Sequence, residues 1–191
     1  MAAEIPFAFM TNNEDTEAAK AKKLSQLLGL SLGPERFVTS LTPYRELVQE
    51  YRNAQVLVIG RTGMVGVARE YGFTNPIGLM EYADSRRQLV PHLPAQRFTT
   101  SNSAKRRDNN QKIKAILVFT EPEDWHTALQ VMVDVLSSDG EPCEELGGHA
   151  SSTQVVDLFF SNPDFSYPAS HSGKCRGSSS NFAVSEDTLG S

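Results

Sequence analysis

Thr11 and Asn12 follow an apolar run, Ile5 to Met10, that is short enough for a buried strand, so a hydroxyl and an amide fall at that strand's carboxyl end. Ligands of open α/β sheets bind outside the carboxyl ends of strands. A threonine placed there can hydrogen-bond a phosphoryl oxygen while neighbouring backbone N–H groups hold the rest. Thr and Asn are also ordinary turn residues, so the pair alone reads more readily as a plain turn. A second candidate is Gly60 to Gly66, a G-x-x-G-x-x-G spacing directly after the apolar run Val56 to Ile59. Such a turn lets backbone N–H groups approach a pyrophosphate at a helix N-terminus, and Glu81 lies roughly 20 residues on, where a ribose partner would be sought. The plain alternative is a tight strand-to-helix turn. A dinucleotide-binding domain usually opens with its glycine-rich strand, whereas here a strand and two helices come first, which makes dinucleotide binding a minor alternative.

Other chemistry is poorly supported. His92, His126, His149 and His171 show no H-x-H, H-x-x-x-H or C-x-x-C spacing, so a zinc site is not expected. No G-x-S-x-G elbow supports a serine nucleophile. Glu121, Glu123 and Asp124 could pass for paired acids, but before Trp125 they read as the acidic first turn of a helix, favoured by its dipole. Cys143 and Cys175 are the only cysteines and imply no disulfide framework, which fits a reducing compartment. The net charge of −5 and the single basic cluster, Lys105 to Arg107, give no electrostatic reason to bind nucleic acid or an anionic membrane. No apolar run reaches the length of a membrane span, and Met1 to Pro6 do not form a signal peptide.

The elements that must position these residues alternate. After the Ile5–Met10 strand, a helix from Asp15 to Leu28 carries Ala21, Leu24, Leu27 and Leu28 as its apolar stripe and stops at Gly29. Thr42 as N-cap and Pro43 at the first helical position mark a second helix with Tyr44, Leu47, Val48 and Tyr51 on one face. The strand Val56–Ile59 leads through the glycine turn to a helix ending near Gly72, and a short strand is expected at Ile77–Met80. A polar stretch from Leu93 to Gln111 reads as a loop. Ile113–Phe119 is a strand, Trp125–Leu136 a helix with Trp125, Leu129, Met132 and Leu136 as its stripe, and Val155–Phe160 a closing strand. Strands alternating with helices predict an α/β protein with a mainly parallel sheet.

Taken in order and spacing, Ile5–Asn13, Lys23–Gly29, Val38–Leu47, Gln55–Gly60 and Ala68–Phe73 resemble the haloacid dehalogenase-like (HAD) hydrolases of subfamily IIA. Ser40, Thr42, Pro43 and Tyr44 are similar to the S-x-T-P-[FY] signature of the eukaryotic branch, and Val156–Asp164 looks like the subfamily's T-N-x-D segment with Ser161 in place of Thr. The resemblance spans residues 4–168. It implies a partial Rossmann-like core over residues 1–40 and an inserted α/β cap of the C2 type over 41–168. Residues 169–191, of which Ser and Gly supply ten, are expected to be a disordered tail.

The resemblance further implies that Thr11 is the second-motif hydroxyl holding a phosphoryl group, with Asn12 beside it. Ser161, Asn162 and Asp164 would lie in the cap loop that faces the active site and selects a substrate, here a phosphorylated small molecule. The glycine turn at 60–66 becomes a turn within the cap. Family members use an N-terminal D-x-D as nucleophile and acid/base, a G-K-P lysine and a terminal G-D-x-x-x-x-D, with magnesium as cofactor. None of those motifs occurs in these 191 residues, and no two aspartates stand two apart. The expectation is therefore a catalytically incomplete fragment, truncated at both ends, without magnesium ligands and inert by itself. The alternative is a non-catalytic α/β interaction module whose exposed sheet edge recruits a second copy or a homologue. A cytoplasmic or mitochondrial location, without secretion, is the accompanying expectation.

Overall fold

A computed structural model describes residues 6–86, 90–91, 111–140, 154–162, 166–168 and 174–176 of the chain. Its centre is a four-stranded, all-parallel sheet in the order β4-β3-β5-β6, with β3 at Gln55–Ile59, β4 at Asn75–Gly78, β5 at Ile113–Val118 and β6 at Asp157–Phe160. Every residue of β3 is buried. This is the burial expected of a central strand of a parallel sheet, which helices cover on both faces.

Alternation of side chains along the strands divides the interior in two. On one face Leu57, Ile59, Ile116 and Val118 pack with Leu79, Tyr82 and Ala83 of α4 (Leu79–Ser85) and with Ala128, Val131, Met132 and Val135 of α5 (Trp125–Ser137). On the other, Val56, Val58, Ala115, Leu117 and Phe119 pack with Tyr44 and Tyr51 of α2 (Tyr44–Tyr51) and with Ala68 and Tyr71 of α3 (Met64–Tyr71). The result is a three-layer α/β/α arrangement.

Upstream lies a smaller unit. β1 (Phe9–Met10) pairs in parallel with β2 (Phe37–Val38) as a separate two-stranded sheet, joined through α1 (Glu17–Leu28) and a short 3-10 turn at Pro34–Arg36. Phe9 stacks on Phe37 with ring centroids 4.9 Å apart. The C-cap of α1 is Gly29 in the left-handed conformation, φ 64°, as its place in the sequence predicts. A further antiparallel pair joins β7 (Ser166–Pro168) to β8 (Lys174–Arg176), the latter within the stretch read from composition as a tail.

Several expectations need correction. Among the described residues, which begin at Pro6, the first strand covers Phe9–Met10 and is not buried, because Met10 is 84% exposed and Phe7 also lies open. Of the α1 stripe only Ala21 is buried, whereas Leu27 is 78% exposed and Leu28 lies open too. Thr42 does not cap α2. Its hydroxyl instead accepts from Thr39 N at 2.8 Å, and the helix is entered through consecutive turns with Pro43 as the flanking residue. The strand expected through Met80 ends at Gly78, and α4 begins at Leu79. The run Leu79–Ser85 is too short for its periodicity to stand out from the strand before it. The buried face of α5 is Thr127, Ala128, Val131, Met132 and Val135, rotated from the predicted stripe, so Trp125, Leu129 and Leu136 are only partly buried. The loop expected over Leu93–Gln111 lies outside the described residues except for Gln111, and so does most of the tail. Among the described residues no helix is long and apolar enough to cross a membrane.

Candidate functional site at the carboxyl end of the sheet

Because all four strands of the central sheet run the same way, their following loops gather at one end. In the strand order β4-β3-β5-β6 the chain reverses direction between β3 and β5, and the crevice outside that switch point is where open α/β sheets place ligands. Gly60–Gly63 leaves β3 there, Thr120–Asp124 leaves β5, and Ser161–Asn162 leaves β6. The strands are tied to one another at this end. Phe119 N donates to Ile59 O at 2.8 Å, Ser161 N to Val118 O at 3.0 Å, and Ser161 Oγ to Phe119 O at 2.8 Å. Tyr44 Oη, from below, donates to Val118 O at 2.7 Å and lies 3.1 Å from Phe159 O, bridging β5 and β6 as they part.

The glycine turn is built for contact within the chain. Arg61 N donates to Thr120 Oγ1 at 2.8 Å, and Thr62 Oγ1 lies 3.3 Å from Glu123 Oε1. Gly60 has φ 152°, and a Cβ there would fall 2.7 Å from Thr120 Oγ1 and 3.1 Å from Thr120 N. The close approach that requires a glycine is thus made by Thr120. Gly66 lies inside α3, where a Cβ would meet nothing, so the third glycine of the spacing carries no such demand.

Thr11 and Asn12 follow β1 as predicted. Thr11 N donates to Val38 O at 3.0 Å, which fixes the turn to β2. A chain of local side-chain acceptors then shapes the loop: Asn13 N donates to Thr11 Oγ1 at 3.2 Å, Asp15 N to Asn13 Oδ1 at 2.9 Å, and Ala19 N to Thr16 Oγ1 at 3.2 Å, the last being the N-cap of α1. Thr11 Oγ1 accepts in this arrangement, so its proton can still be donated outward. Asn12 is exposed.

This loop is fastened to the larger unit through its neighbours. Ser40 N and Ser40 Oγ both donate to Asn13 O, at 3.3 and 3.2 Å. Arg61 Nη2 lies 3.7 Å from Glu14 Oε2, which joins the loop after β1 to the turn after β3. Burial pushes the Glu14 carboxyl above its ordinary value, Arg61 opposes this, and Glu121 and Asp15 add to the rise. Arg61 is therefore a cation among carboxylates at this end of the molecule.

The predicted site residues thus divide. Thr11 and Asn12 sit on the loop that Glu14 joins to the carboxyl end of the sheet, and Ser161 and Asn162 lie at that same end, after β6. Asp164 lies outside the described residues. Sequence reasoning missed Glu14, Arg61 and Thr120, and it singled out Ser40 only as part of a signature. The position of Thr120 just past a buried strand was a usable signal, whereas the pairings of Glu14 and Ser40 depend on tertiary contacts that spacing does not reveal. Among the described residues, which do not include Asp164, no group of three His, Cys, Asp or Glu side chains is placed to hold a metal ion, and no chemistry is assigned through one.

Parallel strands with helices on both faces and loops converging at one end define an α/β protein of the class that binds ligands at strand termini. Residues 1–74 match the family described as haloacid dehalogenase-like hydrolase. The chain is 27% identical over 164 residues to a mitochondrial hydrolase of Saccharomyces cerevisiae, an alignment covering 84% of this chain and 46% of the yeast protein. In fold it is similar to a hypothetical protein of Pyrococcus horikoshii, with TM-score 0.58, 19% identity and coverage of 94% of this chain and 54% of that one. It is also similar to the glycerol phosphate phosphatase of Mycobacterium tuberculosis in complex with magnesium, with TM-score 0.56, 17% identity and coverage of 97% and 43%. Together these similarities support a haloacid dehalogenase-like hydrolase of subfamily IIA. The chain spans about half the length of these relatives.

Proposed function

We propose that this chain carries the phosphoryl-recognising loop and the substrate-selecting α/β unit of a phosphatase-type HAD hydrolase. In this reading the Thr11 hydroxyl donates to a phosphoryl oxygen, Asn12 contributes its amide, and Asn162 and Asp164 select the organic part of a phosphorylated small molecule. The boundary between core remnant and cap lies near residues 40 and 41. The observation that supports this most is the placement of Thr11 directly past β1, in a turn held to β2 by Thr11 N, with its hydroxyl oxygen accepting from Asn13 N and its proton left to donate. The sequence holds no D-x-D, so no in-line carboxylate nucleophile with a partner acid is available, and the chain by itself is expected to bind phosphate weakly and to turn over no ester. In the family, magnesium supplies neutralisation of the equatorial phosphoryl oxygens. The names of the yeast relatives support a mitochondrial location.

Titration of the full chain with inorganic phosphate, followed by amide chemical shifts, tests the assignment. Shifts centred on Thr11–Asn13 that weaken about tenfold in Thr11→Ala, the loss of one charge-assisted hydrogen bond, are the expected result. Unchanged binding in Thr11→Ala overturns the role of Thr11. Magnesium-dependent hydrolysis of p-nitrophenyl phosphate by the purified chain overturns its inactivity.

A second reading, an interaction module that recruits another copy or a homologue, is favoured by one observation. Met10, Leu27, Leu28 and Leu30 are exposed on the smaller unit. Size-exclusion chromatography with and without a full-length relative separates the two, since a purely monomeric elution at all concentrations removes it.

A further inference from the structure

The smaller unit turns much of its apolar surface outward, yet α1 is held against the larger unit at its first turn. The contact is polar. Glu17, whose side chain is only 7% exposed, receives Arg45 Nε at 3.1 Å on Oε1 and Arg45 Nη2 at 3.3 Å on Oε2, a two-pronged pairing with α2. Tyr71 Oη, from α3, donates to the same Oε2 at 3.1 Å. The Arg45 guanidinium lies 4.1 Å over the Tyr71 ring, so cation and phenol also support each other. Residues of α1, α2 and α3 thus meet on one buried carboxylate, with the α1 N-terminus adding its favourable dipole.

The geometry points to a latch: Glu17, Arg45 and Tyr71 are positioning residues that clamp α1 onto the larger unit and so fix where the Thr11–Asn13 loop stands relative to the carboxyl end of the central sheet. Glu17 lies only one residue past the Thr16 cap, at the end of that loop, while the Ser40–Asn13 and Arg61–Glu14 contacts hold its other part. Removing the Arg45 cation leaves a buried carboxylate without its partner, which is far more disruptive than losing an exposed pair. The effect is nonetheless local, because none of the three side chains belongs to the central sheet. The inference concerns how the loop is held and does not depend on what Thr11 binds.

Amide hydrogen exchange on the full chain, without any phosphate present, tests it. Arg45 is half-exposed, so Arg45→Ala removes the latch with little loss of packing. The expected result is a fall in protection, by about tenfold or more, at Thr11, Lys20 and Ser40, whose N–H groups bond Val38 O, Thr16 O and Asn13 O, while Phe119 and the β3–β5 ladder keep theirs. Tyr71→Phe should give a smaller fall with the same distribution, and Arg45→Lys, which keeps the charge but not the fork, should lie between wild type and Arg45→Ala. Acidification of the wild type should reproduce the pattern as Glu17 is neutralised. The charged and titratable groups facing it are Arg45 and Tyr71, with Glu70 nearby on α3. An equal fall in both units, an unchanged smaller unit in Arg45→Ala, or Arg45→Lys no better than Arg45→Ala overturns the latch.

Discussion

The β1–β2 pair and the β4-β3-β5-β6 sheet are both parallel, yet they meet opposite conditions. The larger sheet has α4 and α5 on one face and α2 and α3 on the other, so its central strands are closed to water, as parallel sheets require. The smaller has two residues per strand, one stacked aromatic pair, and neighbours such as Met10 and Leu27 that face solvent. One unit is held by apolar burial, the other by hydrogen bonds and a buried ion pair at its joint. Packing thus stabilises the part that presents loops, while electrostatics positions the loop that contacts a phosphoryl group in the proposed function.

This contrast can be broken from either side. The largest expected effect is in the larger unit. Phe119→Ala removes a fully buried ring stacked on Tyr44 at 4.3 Å and should cost about 3–5 kcal/mol by urea denaturation, with the whole sheet losing protection. Gly60→Ala should cost about 1–3 kcal/mol, because the new Cβ meets Thr120 and a side chain is strained at that φ. Gly66→Ala, with open space around it, should be neutral or slightly stabilising. Tyr44→Phe removes one of the two donors to Val118 O, leaving Ser161 N, and should cost about 0.5–1.5 kcal/mol, again in the larger unit.

Acid sharpens the comparison. Burial works to raise the Glu17 carboxyl, but hydrogen bonds from Arg45, the backbone and Thr42 outweigh it and leave the group below its ordinary 4.5. A lowered folded value means the stabilisation is present above the unfolded value and is lost as pH falls through the folded one. The smaller unit should therefore detach progressively below about pH 4.5. Glu14 behaves oppositely: its raised value means that it takes up a proton at higher pH than Glu17 and gives up its Arg61 contact first. Protection at individual amides, followed from pH 6 to 3, should therefore change near Glu14 before it changes at α1. The smallest effect is expected from Leu27→Ser, within about 0.5 kcal/mol for such an open residue, with a gain in solubility as its main readout.

Much of the larger unit could be read from the sequence because its strands are continuous apolar runs and its helices carry periodic stripes. Val56–Ile59 and Ile113–Val118 are such strands, and Gly72 ends α3 where a glycine should. The misplaced details have a shared cause. Tyr44 and Tyr51 identify their face unambiguously, whereas α5 is apolar around most of its circumference, so which side faces the sheet is decided by packing. The run Ile5–Met10 looks like a buried strand because apolar composition reports what a segment is suited to and not what lies beside it. Of the candidate site, Thr11 and Asn12 came from their place at the end of an apolar run and from motif resemblance, and Ser161 and Asn162 from the resemblance. Arg61 and the Glu17 cluster came only from three-dimensional contacts, since their partners lie far away in the chain, whereas Thr120 also stood just past a buried strand.

The lone tryptophan gives the carboxyl end of the sheet an optical property. Trp125 Nε1, at the first residue of α5, donates to Glu121 Oε2 at 2.8 Å, and the indole is partly buried. Glu121 is also one of the charges that Glu14 senses across the crevice. An indole bonded to a carboxylate responds in emission wavelength and intensity to that carboxylate's ionisation and hydration. Selective excitation of the indole therefore reads events at the mouth of the crevice without a label, in a chain where no second indole competes.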